Sequence, residues 1–292
     1  WALILGAGFT LGLAGGVLDA GVNAYVAGHR GARAMGVVHT GFGIGSTLGP
    51  LFVTALLALG ASWRVAFGSL AMADLLLSIA FLATISAIEG NIGSTGRRPS
   101  VGGNRVVLGL SVAVFFLYAG VAAGTGAWTF SLLTEGRGIS DGVAGMAVAA
   151  YWAGMTVARV ALGVFGDRVD PNRVLTISGF ATVASLGLLW LAPVPWIGIA
   201  GLIASGISHG AVFPLEILLT PRRFGDAFTP WAVGYEIAGA NVGVALLSGS
   251  IGLLVGRFGI EAVAPALVVL AALFWAAIEL LRIRSTEASR VA

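Results

Sequence analysis

The stretch Gly12-Leu-Ala-Gly-Gly-Val-Leu-Asp-Ala-Gly-Val-Asn-Ala-Tyr-Val26 sets one carboxylate, Asp19, inside an apolar run that begins at Trp1 and ends near Gly28. After a short basic break the chain continues His39-Thr-Gly-Phe-Gly-Ile-Gly-Ser-Thr-Leu-Gly-Pro50. An apolar run of this length crosses the hydrocarbon core of a bilayer as a helix. A carboxylate at that depth costs at least ~2.5 kcal/mol on insertion scales, so it faces protein or water and not lipid. Gly12, Gly16, Asp19 and Asn23 follow a four-three-four spacing, which puts them on one helical face. The two glycines let a neighbouring backbone approach, and the acid and amide are expected on the same buried seam. Two uses of the acid are open: a hydrogen-bonded packing group, or a group that handles protons or substrate.

Composition agrees with a bilayer setting. Of 292 residues 58% are hydrophobic and only 10% charged, and the mean hydropathy is +0.97. Soluble domains carry about 25% charged residues. A β-barrel would need short alternating strands, whereas these runs are continuous. The chain has no cysteine and no lysine, so all 16 basic residues are arginine. Disulfides and thiolate metal sites are excluded. With three histidines, none clustered with other ligands at metal-binding spacing, no metal is expected. The net charge of +3 is not read as nucleic-acid binding, because in such a chain the position of the arginines matters more than their sum.

About nine spans follow, near 2–28, 35–60, 65–87, 106–133, 144–165, 174–193, 197–220, 231–255 and 261–282, each about 20 residues or longer. The longest connection, 89–105, holds Gly, Ser, Pro and three arginines and reads as a cytoplasmic central loop. Alternate connections and the tail hold Arg30, Arg33, Arg97, Arg98, Arg105, Arg168, Arg173, Arg222, Arg223, Arg282, Arg284 and Arg290; the opposite side holds Arg64, Arg137 and Arg257. The first side is therefore expected to be cytoplasmic, with the carboxyl terminus there and Trp1 beginning outside. The chain opens at Trp1 already inside an apolar run, which leads to the expectation of a truncated amino terminus. The long loop divides the spans three and six, whereas transporters built of two six-helix halves place it at the middle. Three preceding helices are then expected to be missing.

Leu18-Asp-Ala-Gly-Val-Asn-Ala-Tyr25, then His39, Phe42-Gly-Ile-Gly45 and Gly49-Pro50, resemble the fourth and fifth helices of the fucose–proton symporter family of the major facilitator superfamily. Tyr118-Ala-Gly with Gly126-Ala-Trp128 resembles its seventh helix. Tyr151-Trp-Ala-Gly-Met-Thr-Val-Ala-Arg159 and Gly163-Val-Phe-Gly-Asp167-Arg168 resemble its eighth helix and following loop. Phe213-Pro214, Thr220-Pro-Arg-Arg223 and Asn241-Val-Gly243 resemble its tenth and eleventh.

The fold this resemblance implies is all-α, a polytopic membrane protein with helices four to twelve of the major facilitator fold. Its expected parts are residues 1–88 as the second half of an amino-terminal bundle, loop 89–105, a six-helix bundle 106–283 and a cytoplasmic tail 284–292. The implied activity is uptake of a small sugar or related polar metabolite, coupled to protons by alternating access. The partners implied are the lipid bilayer and the solute, with the proton as coupling ion, no cofactor, a monomeric state and a bacterial inner membrane as location. Asp19, Asn23 and His39 fall at positions that the resemblance ties to proton or substrate handling, and Tyr118 and Trp128, on the seventh-helix match, are further candidate binding residues. Phe42 stands where the fucose transporter has a sugar-site asparagine, and Ala122 where helix seven often has Glu or Gln, so fucose itself is not implied.

Other polar positions come from the residues themselves. Ser205, His209, Phe213, Glu216 and Thr220 share a helical face. Pro214 is expected to interrupt that helix and free the carbonyl of Gly210. His209 reads either as a cavity residue or as a satisfied packing histidine, and Glu216 either as a snorkelling or gate acid or as a binding residue. Glu236, with Gly239 and Gly243 on its face, either titrates in the cavity or pairs with an arginine of 222–223. Asn241 points about 140° away from Glu236, so the two cannot face one cavity. Asp74, with Ser78 one turn on, is a packing or a cavity acid, and Trp128 an interface anchor or a stacking platform. Arg159, Gly163, Asp167 and Arg168 are expected to form a gate, in which a carboxylate meets a helix N-terminus and a neighbouring arginine.

No Ser-His-Asp or Cys-His arrangement occurs at supporting spacing, and the glycine-rich stretches follow no strand, so an enzyme is not expected. Efflux of drugs or metabolites by the same fold, and a non-transporting truncated membrane protein, are the alternatives.

Overall fold

Helices form wherever the apolar runs lie, because in a bilayer each backbone polar group must be satisfied within its own segment. The computed structural model describes residues 2–89 and 105–291. Ten α-helices occur among these residues: α1 Ala2–His29, α2 Ala32–Ala58, α3 Trp63–Glu89, α4 Arg105–Ser131, α5 Asp141–Phe165, α6 Pro171–Leu191, α7 Pro195–Gly210, α8 Val212–Phe224, α9 Thr229–Phe258 and α10 Val263–Val291. Eight helical stretches among the described residues are long and apolar enough to cross a membrane, α7 and α8 together forming one of 30 residues. α2, the other expected span, is 27 residues long and is not among those eight. This is the build of a multi-pass membrane protein.

Trp1, Arg97 and Arg98, and the expected loop apart from its ends, lie outside the described residues. Helix α10 continues to Val291, through most of the residues expected as a tail. An i,i+3 pair, Arg284–Glu287 at 3.1 Å, favours the extra turns.

Two compact units divide the chain, residues 1–43 with 99–292, and residues 44–98. The division falls inside α2 and not after residue 88, where the expected domain border lay. Burial accounts for it, since Val26 and Ala27 of α1 and Met35 of α2 share one core with Phe115, Leu215 and Ile237. In the smaller unit α3 exposes Leu75, Leu76 and Leu77, as a helix apolar on all sides does in lipid. Asp74 is exposed there, and the Ser78 hydroxyl donates to its carbonyl at 2.8 Å.

Local chemistry sets the helix ends in the larger unit. Asp170 caps α6 by accepting from the Asn172 amide at 3.0 Å, with Pro171 at the first helical position. Gly259 ends α9 at φ 84°, a backbone state that glycine enters without steric cost. The seventh expected span breaks at Ala211 between α7 and α8. Pro214 has no N–H to give to the carbonyl of Gly210, so the ladder opens there, as its sequence position requires.

Helices meet through small residues. At Gly239, on the face of α9 that meets α4, a Cβ would stand 2.8 Å from Val112 Cγ1 and 3.0 Å from its carbonyl oxygen. On α2, a Cβ at Gly36 would stand 2.5 Å from the backbone nitrogen of Gly163 on α5. Such contacts bring backbones together where a bilayer supplies no hydrophobic drive between helices. Gly12 and Gly16 behave otherwise: nothing described lies within 4 Å of a Cβ at either, so the expected close seam of α1 is not formed among the described residues. Within this unit Arg137, at one end, donates to the Leu189 carbonyl at 2.6 Å and pairs with Glu261 at 3.4 Å. At the other end Arg30, Asp167 and Arg222 border one cleft.

Candidate functional site

One face of α1 starts the site. Asn23, one turn after Asp19, donates through Nδ2 to Asp19 Oδ1 at 2.7 Å and to the Asp19 carbonyl at 2.9 Å. With its amide so oriented, Asn23 Oδ1 is free to accept, and His39 Nε2 stands 3.0 Å from it. His39 therefore carries its proton on Nε2 in this chain of bonds. Asn23 and His39 are buried, while Asp19 is exposed. The expected buried acid is thus an acid at a cavity wall, held by a buried amide behind it.

The cavity has a volume of 270 Å³, and its wall includes Asp19, His39, Phe42, Tyr118, Trp152 and Arg159. Asn241, Phe213 and Met155 also line it. The edge of Phe213 meets His39 at a centroid distance of 5.1 Å and Phe115 at 5.1 Å, which holds the imidazole against the Asn23 side. Trp152, Met155 and Arg159 recur at three and four residues along α5, so one face of that helix supplies all three. Trp152 and Met155 were passed over in the sequence, although this spacing from Arg159 was there to find them.

Arg159 belongs to this cavity and not to the expected gate. It is 6% exposed. Its Nε donates to the carbonyl of Gly210 at 3.4 Å, the carbonyl that Pro214 leaves without a helical partner. Its guanidinium lies 5.4 Å from the centre of the Phe42 ring, within reach of a cation–π attraction. Among the described residues no ion pair includes it. The break at Ala211 and the register of α5 together turn a buried cation toward the cavity, and among the described residues no carboxylate is paired with it.

Several expected site residues lie elsewhere. His209 is buried against the back of Tyr118, with ring centroids 4.3 Å apart and planes 7° from parallel. Its Nε2 donates to the Tyr118 carbonyl at 3.0 Å, and Nδ1 stands 3.5 Å from the Thr182 hydroxyl. It is a satisfied packing histidine that backs a lining residue. Trp128 donates to the Ser248 carbonyl at 3.0 Å and covers Gly252, so it packs on α9 outside the cavity lining. Glu236 and Asn241 point apart on α9, and only Asn241 reaches the cavity.

The arginine pairing read as one option for Glu236 belongs to Glu216, and neither glutamate lines the cavity. Glu216 pairs with Arg223 at 2.6 Å, seven residues on along α8. Glu236 does not pair with that arginine. It accepts from Ser111 Oγ at 2.5 Å and from Thr220 Oγ1 at 2.9 Å. Spacing along α8 puts Arg223 on the Glu216 face, and Glu236 meets the α4 side instead.

Of the expected gate, Gly163, Asp167 and Arg168 remain. Gly163 receives Gly36 of α2 at its backbone. Asp167 and Arg168 sit in the 3₁₀ turn Gly166–Arg168, both exposed. Asp167 Oδ1 would stand 3.1 Å from a Cβ at Gly31, the residue before α2 begins. A carboxylate there meets the positive end of a helix dipole. Arg30, Gly31, Asp167 and Arg222 border the adjacent cleft of 350 Å³.

Residues 110–291 match the Major Facilitator Superfamily. The chain is 22% identical over 269 residues to the Glucose/mannose transporter GlcP of Bacillus subtilis, covering 86% of this chain and 65% of that one. It is 25% identical over 169 residues to Bypass of stop codon protein 6 of Saccharomyces cerevisiae, covering 54% of this chain and 34% of that one. The chain therefore spans less than two thirds of the curated relatives it matches. A crystal structure of the transporter FucP in the outward conformation superposes with a TM-score of 0.73 at 15% identity, over 91% of this chain and 72% of that one. A crystal structure of the E. coli Fucose:proton symporter FucP gives 0.53 at 17% identity, over 61% and 42%. At these identities the superpositions speak for the fold.

Proposed function

The chain belongs to the Major Facilitator Superfamily, and from that premise we propose that it moves a small polar solute, a sugar or related metabolite, across a membrane together with a proton. It acts as a transporter and not as an enzyme. The observation that carries the reading is the cavity where Asp19, His39, Asn241 and Arg159 meet the aromatic faces of Phe42, Tyr118 and Trp152. Its 270 Å³ is below the ~300–1,000 Å³ of sites for drug-sized ligands, which suits a small solute. Hydroxyl groups of that solute accept from the Arg159 guanidinium and bridge to Asp19 and Asn241, while its apolar faces rest on the rings. The relatives named for glucose, mannose and fucose support a sugar-like solute.

Proton coupling falls to Asp19. As a cavity acid it takes a proton from one side and gives it up on the other as access alternates. The Asn23–His39 chain behind it ties its protonation to the solute-facing wall through shared hydrogen bonds. Asp167, at the start of α2, holds the arginine-rich side closed. That side is cytoplasmic by its arginines, in a bacterial inner membrane, with the chain acting as a monomer and requiring no cofactor.

The full chain in proteoliposomes tests this. A counterflow screen over sugars and hydrophobic cations identifies the solute class, and cation exchange without sugar exchange would favour efflux instead. Asp19→Asn keeps size and hydrogen bonding but removes titration. It should abolish uphill uptake and spare exchange at equal concentrations. Solute still concentrated by Asp19→Asn would sink the reading of Asp19 as proton carrier.

A further inference from the structure

Away from the cavity, α4, α8 and α9 enclose a second polar cluster: Ser111, Glu216, Thr220, Arg223 and Glu236. Ser111, Thr220 and Glu236 are fully buried and Glu216 nearly so. The α8 members recur at four and three residues, so they share one face. Glu216 Oε2 takes Arg223 Nη1 at 2.6 Å. Glu236 Oε1 lies 2.5 Å from Ser111 Oγ and 3.1 Å from Thr220 Oγ1, and its Oε2 lies 2.9 Å from Thr220 Oγ1.

The hydrogens in this cluster do not suffice. Thr220 has one hydroxyl hydrogen, yet its oxygen faces both Glu236 oxygens and the Glu216 carbonyl at 3.3 Å. Charge falls short in the same direction, with two carboxyl groups and one guanidinium. Among the described residues the charged groups that act on Glu236 are Arg223 and Glu216, both from α8, and α4 offers Ser111. Buried polar groups keep their bonds and buried charges their partners, so a cluster short of one hydrogen and one positive charge is short of a proton.

We infer that the Ser111–Thr220–Glu236–Glu216–Arg223 cluster is a proton-binding site, separate from Asp19 and independent of any solute. A proton on Glu236 Oε2 donates to Thr220 Oγ1. The Thr220 hydrogen then turns to the Glu216 carbonyl, and every hydroxyl has one acceptor. Loss of that proton to water leaves two adjacent carboxylates competing for Arg223, which loosens α8 against α9 and α4. The site thus makes the packing of these three helices sensitive to protons.

Infrared titration of the purified full chain in lipid nanodiscs, without solute, reads the site directly through the C=O stretch of a protonated carboxyl. The expected result is a band that titrates while the protein stays folded, that Glu236→Gln removes, that Ser111→Ala shifts in frequency and that Asp19→Asn leaves in place. Melting gives the second readout. Glu236→Gln replaces a neutral acid by a neutral amide and should keep Tm at neutral pH, whereas Glu216→Gln strips Arg223 of its partner and should lower it. The inference is overturned by a band that survives Glu236→Gln, ignores Ser111→Ala or never titrates, and equally by a Glu236→Gln loss of Tm as large as that of Glu216→Gln. None of these outcomes bears on Asp19, whose test is uphill uptake.

Discussion

Gly36→Ala puts the closing of the arginine-rich end to a direct test. The added Cβ would stand 2.5 Å from the backbone nitrogen of Gly163, 2.8 Å from its Cα and 2.9 Å from the Leu162 carbonyl carbon. Ordinary contact begins at 3.4 Å, and every atom in the way is backbone, so no rotamer change relieves the clash. α2 must move from α5 by roughly 1 Å, and overpacking of this kind costs about 1–3 kcal/mol. That cost falls only on the state in which the two helices touch. At ~1.4 kcal/mol per factor of ten, the closed state should lose about 5- to 150-fold in population against any state that separates α2 from α5. The chain has no cysteine of its own, so single cysteines at Arg33 and Arg168 take spin labels cleanly. The label-to-label distance should lengthen in Gly36→Ala. Gly41→Ala on the same helix, where nothing described lies within 4 Å, should leave it unchanged. Identical distance distributions in wild type and Gly36→Ala would refute the reasoning, because a backbone clash that moves nothing is not a contact.

Three further outcomes follow from the same geometry. Arg159→Gln removes the cavity's cation but no ion pair, so Tm should hold while solute half-saturation in counterflow rises about 10- to 150-fold, the worth of a charged hydrogen bond of ~1.5–3 kcal/mol; unchanged half-saturation would take Arg159 out of the binding wall. Pro214→Ala restores an N–H that can reclaim the Gly210 carbonyl, and the resulting variant should lose affinity in the same direction as Arg159→Gln, though by less, with extra helical order at residues 210–214 seen by amide hydrogen exchange. Asp167→Ala withdraws a carboxylate from the start of α2, an interaction of about 0.3–1 kcal/mol, and should lengthen the same 33–168 distance by a smaller population shift than Gly36→Ala; an equal or larger shift would make the carboxylate, and not the glycine contact, the main fastening.

Reading by sequence succeeded wherever one segment settles the matter. Long apolar runs must be helices in a bilayer, so α1 to α10 were legible as helical runs, with α7 and α8 read as one span. Pro214 opens its own helix because the lost hydrogen bond lies four residues back, at Gly210. The opposite directions of Glu236 and Asn241 follow from helix geometry alone. Partners are another matter. These spans are apolar on nearly every side, so hydrophobic periodicity does not say which face meets which neighbour. Only the rotation of α5 in the fold turned Arg159 away from Asp167 and toward the freed Gly210 carbonyl. Only the meeting of α4 with α9 gave Glu236 a serine 125 positions away and left Arg223 to Glu216. Burial of the last turns of α1 and the start of α2 in the core of the later helices was likewise a tertiary decision, since close packing selects shapes across helices, and a shape is not written in any one of them.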